Sequence, residues 1–180
     1  MTDAPPFSRL VKVDALPADG LSQTIEANPE ERAALAALNR LPAIASLTAG
    51  FTVRRSGRGG ARVTGEVHAE VTQLCVVSLE PFAATVDEPI DVRFAPAKAV
   101  EAARRVKEDG AEMVEVGSED PPEPIVDGGI DLGALAAEFL ALGLDPYPRK
   151  PGAEFQAPAA EDEDDSPFDA LADLKARDPT

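Results

Sequence analysis

Three long stretches of this chain alternate apolar and polar residues with a period of two, a pattern that only half-buried β-strands satisfy. In the first, Ala45, Leu47, Ala49, Phe51 and Val53 point one way while Ser46, Thr48, Thr52 and Arg54 point the other. In the second, Val63, Val67, Ala69 and Val71 alternate with Arg62, Thr64, Glu66, His68, Glu70 and Thr72. The glycine-rich stretch Ser56-Gly57-Arg58-Gly59-Gly60 lies between them and can reverse the chain, so the two runs predict a long hairpin. After Leu79-Glu80-Pro81, the third run sets Phe82, Ala84, Val86, Ile90, Val92 and Phe94 against Thr85, Asp87, Asp91 and Arg93. An antiparallel meander follows. Pro89 cannot donate to a strand ladder, which places it at an edge or a bulge.

Helical signals flank this sheet. Asn28-Pro29-Glu30-Glu31 supplies an N-cap, a proline and two carboxylates ahead of Ala33 to Leu41, and Pro42 ends the helix. Leu35 and Leu38, with Ala34 and Leu41, are its expected apolar face. Ile130-Asp131-Leu132 opens a second helix with Leu132, Leu135, Ala136, Phe139 and Leu140 in one stripe, stopped by Asp145-Pro146-Tyr147-Pro148. Weaker patterns suggest an opening strand over Phe7 to Val13, a peripheral helix over Pro96 to Lys107 and a short strand over Glu112 to Val116. The fold class is therefore α+β: an antiparallel meander flanked by two or three helices, with the pattern leaving open whether the sheet curls toward a barrel.

Length and charge set the organisation. At 180 residues there is room for one core, which we place in residues 1–150. Residues 1–60 hold seven basic and six acidic side chains, 61–110 six and nine, and 111–180 four and eighteen, so the net charge of −16 is largely C-terminal. Residues 151–165, rich in proline and alanine and ending in Glu161-Asp162-Glu163-Asp164-Asp165, read as an acidic solvated linker. Beyond it, Ser166 and Pro167 can start a helix in which Phe168, Leu171 and Leu174 share one face. Such a short amphipathic module is marginal alone in water and should dock, on its own domain or on another molecule.

Several functions are disfavoured. Aromatics at 4% and no tryptophan leave few of the large side chains that line ligand pockets, so neither a broad catalytic cleft nor a small-molecule substrate is expected. The acidic balance opposes general adhesion to nucleic acid or anionic lipid. No apolar run approaches the roughly 18 residues of a membrane span, and the N-terminus lacks the pattern of a secretion signal, so the expected location is cytoplasmic. His68 and Cys75, the single histidine and single cysteine, would lie about 23 Å apart and on opposite faces of a regular strand, which excludes a thiol–imidazole dyad. Cys75 shares parity with the core face and should be a buried, inert thiol. Neither a metal site nor a cofactor loop can be assembled from these residues, and no catalytic residue is assigned.

One local feature points the other way. Arg54, Arg55, Arg58 and Arg62 fall within nine residues at the hairpin tip, interleaved with glycine. Guanidinium forks pair bidentately with phosphates, so these four are candidates for a local, salt-sensitive RNA contact; a solvated turn is the plain alternative. Phe51 lies too far down the strand to serve as a stacking platform, and base reading is not indicated.

Three segments resemble one family. Cys75-Val76-Val77-Ser78-Leu79-Glu80-Pro81-Phe82 looks like the C-x-x-C-x-x-P-F signature of the YceD family, the large ribosomal RNA subunit accumulation proteins. Gly129-Ile130-Asp131-Leu132, with its helix and Leu144-Asp145-Pro146-Tyr147-Pro148, resembles that family's I-D-L helix and proline-rich end. Ser166-Pro167-Phe168-Asp169-Ala170-Leu171-Ala172-Asp173-Leu174-Lys175 is similar to its closing N-P-F-x-x-L-x-x-L-K motif. The resemblance implies a noncatalytic cytoplasmic factor that supports accumulation or processing of large-subunit ribosomal RNA. It also marks Cys75, Pro81, Phe82, Asp131 and Leu132 as motif positions. Ser78 stands where the family often has a second cysteine, so a metal or redox role of that pair cannot operate in this chain.

The acidic tether suits a basic ribosomal protein or another ribosome-assembly protein as partner, with Phe168, Leu171, Leu174 and Lys175 as docking candidates and ribosomal RNA as a further contact. A direct RNA-binding protein using the arginine loop, and an acidic interaction module unrelated to ribosomes, are the competing readings.

Overall fold

The computed structural model of the chain describes residues 5–102 and 121–155. Its centre is a five-stranded sheet in the order β2-β3-β4-β5-β6, built from Leu21–Glu26, Ala43–Ser56, Gly60–Leu74, Pro81–Pro96 and Glu123–Ile125. The first four strands form the antiparallel meander, and β6 runs parallel to the end of β5, opposite Phe94–Pro96. With β2 at one edge and β6 at the other, the sheet is open rather than closed into a barrel. A separate two-stranded ribbon pairs β1 (Leu10–Lys12) with β7 (Gly129–Asp131). Three helices complete the α+β fold: α1 (Pro29–Leu38), α2 (residues 97–102 of the described chain) and α3 (Leu132–Gly143).

The strands follow the alternation in the sequence. Leu47, Ala49, Phe51 and Val53 of β3, Val63, Val67, Ala69 and Val71 of β4, and Val86 and Ile90 of β5 are buried on one face. Ala45 departs from the expected pattern: a register shift between Ile44 and Ser46 inserts an extra residue, so Ile44 is buried and Ala45 faces solvent. Pairing runs on through Pro89, opposite Glu66, and the outer side of β5 meets β6 only at its last three residues, so this proline sits on an edge. The hairpin turn is three residues long, with Gly57 at φ 57° and Gly59 at φ 76° on either side of Arg58.

The helices cover the apolar face. In α1, Asn28 accepts from the Glu31 N–H while the Glu31 carboxylate accepts from the Asn28 N–H, a reciprocal capping box. Its buried residues are Leu35 and Ala36, whereas Leu38 is 68% exposed. Of the expected face, Leu35 is buried and Leu41 packs against the core, whereas Ala34 and Leu38 face outward, because the inward rows are Glu31–Leu35–Asn39 and Arg32–Ala36. In α3, Leu132, Leu135, Ala136 and Leu140 are buried and Phe139 partly so, as the sequence stripe predicts. Full burial of a leucine such as Leu132 or Leu140 contributes about 1.5–3 kcal/mol, so this stripe holds α3 on the sheet.

Other expectations need correction. The opening strand shrinks to Leu10–Lys12, because Phe7 turns into the core and Val13–Ala15 forms a short 3-10 turn. The pattern reading also missed β2, where Gln23 occupies an inward position between Leu21 and Ile25 and blurs the alternation. Residues 97–102 of the expected Pro96–Lys107 helix are helical; Lys107 and the Glu112–Val116 strand lie outside the described residues.

Candidate nucleic-acid interface

α1 and α3 bury their side chains in the same core as the inner sheet face and so leave the outer face to the strands' polar residues. That face carries Ser22 and Thr24 from β2, Thr48, Thr52, Arg54 and Ser56 from β3, Arg62, Thr64, Glu66 and His68 from β4, and Asp87, Asp91 and Arg93 from β5. Pairing sets the rows: Arg54 stands opposite Arg62, and Arg62 opposite Arg93. Three arginines of neighbouring strands therefore share one cross-strand row. Like charges directly opposite one another weaken a sheet, so this row opposes stability.

The four arginines singled out from sequence separate. Arg54 is exposed and makes no hydrogen bond or ion pair among the described residues, and Arg58 does likewise at the apex of the turn. Arg62 forks onto Asp91, with Nε–Oδ1 at 2.7 Å and Nη2–Oδ2 at 2.5 Å, in a pair just over half exposed. The Arg62 bond, with charge from Arg62 and Arg93, holds Asp91 below its ordinary carboxylate value. Arg55 has the opposite parity and turns its charge away from the row. Its guanidinium donates to the carbonyls of Leu16 at 2.8 Å and Asp14 at 2.9 Å, clasping the 3-10 turn. Arg93 was missed from sequence, for only the β4–β5 register brings it beside Arg62.

An open groove of about 470 Å³ lies along this end, lined by Thr52, Arg54, Arg55, Ser56, Arg62 and Thr64. A shallower one of about 310 Å³ continues past Ser22, Thr24 and Gly50 and shares Thr52 with it. Both are shallow and open, suited to a surface contact rather than to enclosing a small molecule. Farther along the face, His68 pairs with Asp87 at 2.5 Å, which raises the imidazole above its ordinary value.

The motif residues occupy the other end of the sheet. Cys75 begins a turn in which its N–H donates to the Glu80 carbonyl and its carbonyl accepts from Leu79, the latter in the left-handed region at φ 59°. The Val76 N–H donates to Pro148 and Lys150 pairs with Glu80 at 2.8 Å, so the turn and the proline-rich end meet. Pro81 and Phe82 start β5 opposite Leu74 and Gln73. Cys75 is buried as expected, but its surroundings are not apolar. The Ser78 side chain and the N–H groups of Ser78, Lys150 and Val77 pull its thiol down to about 6, against the opposing effect of burial.

Asp131 caps α3, accepting from Gly133 and Ala134 N–H at 3.0 and 3.2 Å, and Leu132 behind it is fully buried. Phe168, Leu171, Leu174 and Lys175 lie outside the described residues. Among the described residues no three His, Cys, Asp or Glu side chains gather to hold a metal, and no helix is long and apolar enough to cross a membrane.

Searches of curated proteins and of solved structures return no match. A family model described as large ribosomal RNA subunit accumulation protein YceD matches residues 63–175, from the second strand of the hairpin through the Cys75 turn and α3. With well over half of its length inside that match, the chain belongs to the YceD family and takes from it a ribosome-related role.

Proposed function

We propose that this chain is a noncatalytic cytoplasmic factor of ribosome biogenesis that supports accumulation or processing of large-subunit ribosomal RNA. It makes a local RNA contact through the outer sheet face, and a protein contact through residues 166–175. The observation that carries the RNA contact is the row of Arg54, Arg62 and Arg93, a local concentration of positive charge on a chain of net charge −16. Phosphate is the anion that such forks fit best. The protein partner is a basic ribosomal or ribosome-assembly protein, favoured by the acidic run Glu161 to Asp165 and the apolar spacing of Phe168, Leu171 and Leu174.

The test is the ratio of large- to small-subunit ribosomal RNA, with precursor ends mapped, in cells lacking the protein. A selective fall in large-subunit RNA is expected, and an unchanged ratio with normal ends would refute the role. Complementation then separates the parts. A folded Cys75→Ala variant should restore the ratio, as a noncatalytic factor requires. Truncation after Gln156 should abolish association with pre-ribosomal particles.

A further inference from the structure

We infer that the arginine end of the outer sheet face binds the sugar–phosphate backbone of double-helical RNA and reads no bases. This narrows the RNA contact proposed above and rests on it. Strands lie about 4.8 Å apart, so Arg54, Arg62 and Arg93 span roughly 10 Å across β3, β4 and β5, with Arg58 beyond them at the apex. Beside them the groove offers the hydroxyls of Thr52, Ser56 and Thr64. Guanidinium and hydroxyl donors side by side suit phosphate oxygens and ribose 2′-hydroxyls, the groups through which proteins hold an RNA helix.

Single strands require something this face lacks. They are gripped by stacking unpaired bases on aromatic rings, and none of the described strands puts a Phe or Tyr on the outer face. Phe51 and Phe94 have inward parity, packed in or against the core, and Tyr147 lies at the far end beside the Cys75 turn. The grooves are too open to enclose a splayed base. The footprint is also bounded. Glu66, Glu70 and Asp87 stand farther along the face and repel a phosphate backbone, which confines contact to the hairpin end. Asp91 lies inside that end and competes with phosphate for the row.

The experiment uses the full-length protein and fluorescence anisotropy with a 20-base-pair RNA duplex and a 20-nucleotide oligouridine, titrated at several salt concentrations. The duplex should bind more tightly than oligouridine, with a logarithmic salt slope of about three to four for four arginines. Arg54→Ala with Arg58→Ala should weaken duplex binding at least fivefold and lower that slope by about two. Asp91→Asn should tighten it at least twofold, a gain that a merely structural Arg62–Asp91 pair would not produce. Both variants alter exposed side chains, and circular dichroism checks that they fold. Preference for oligouridine would overturn the double-helical inference while leaving the RNA contact standing. Binding of neither RNA at the lowest salt, or binding indifferent to the double substitution, would overturn both and turn the search toward an acidic protein surface.

Discussion

The Asp131 carboxylate accepts the backbone N–H of Arg9 at 2.7 Å, joining residues 122 positions apart. Its second oxygen accepts from the Ser8 hydroxyl at 2.5 Å, and Arg9 in turn forks onto Glu31 at 2.7 and 3.0 Å. Glu31 closes the capping box of α1. One polar chain thus runs from the start of α3, through the N-terminal segment, to the start of α1. The I-D-L motif of the family is therefore structural here: Asp131 fastens these three pieces and Leu132 fills the core behind them.

Replacing Asp131 with alanine removes the α3 cap and leaves the Arg9 N–H unpaired. The expected cost is about 2–3 kcal/mol, read by urea denaturation. Burial is the largest influence on this carboxyl and pushes its pKa up, but the Ser8 hydroxyl and the N–H groups of Arg9, Ala134 and Gly133 together hold it below its ordinary 3.8. Its ionised form therefore stabilises the fold above that value, and the contribution is lost as pH falls through the depressed one. The stability difference between wild type and Asp131→Ala should shrink on acidification below pH 3.8.

Gly65 should not tolerate a side chain. A Cβ there would sit 2.0 Å from the Gly50 carbonyl oxygen, between β3 and β4 where the backbone has no slack. Gly65→Ala should cost about 3 kcal/mol or prevent folding, seen as a lowered melting temperature or insoluble expression. Gly50→Ala is the control: nothing lies within 4 Å of its Cβ position, and it should be near neutral.

Cys75 should titrate well below an ordinary thiol yet react slowly. Thiolate absorbance near 240 nm should appear with a midpoint of about 6, since Ser78 and the surrounding N–H groups stabilise the anion. Ser78→Ala should move the midpoint upward. Full burial should keep disulfide reagents from the native thiol until the protein unfolds, and fast modification of the folded protein would contradict the placement.

The single histidine gives a direct probe of the outer face. Asp87 raises the His68 pKa above 6.5, with smaller contributions from Glu70 and Glu66. A raised value means that the pair stabilises the fold below pH 6.5 and loses this effect as pH rises through the folded value. An NMR titration should place the midpoint above 6.5, and Asp87→Asn should return most of the shift.

The sequence by itself determined the three long strands, the hairpin between the first two and the helix starts, because those depend on neighbours close in the chain. Alternation names the buried face of β3, β4 and β5 from a period of two, and Asn28 with Glu31 announces its capping box within four residues. The Cys75 turn and the Asp131 helix were legible as family motifs in the same local way.

Tertiary structure decided what depends on register and packing. A single bulge turned Ala45 outward, and contact with β3 put Ala36 rather than Leu38 beside Leu35. The β1–β7 ribbon needed residues about 120 positions apart, as at Leu10 opposite Asp131, which no local pattern encodes. The candidate interface shows the same division. Four arginines near a turn were visible in sequence, but parity sent Arg55 to the Leu16 carbonyl, and the register of β4 on β5 brought in Arg93 from 31 residues beyond Arg62. Charge is written along the chain, whereas the row it forms exists only once the strands have paired.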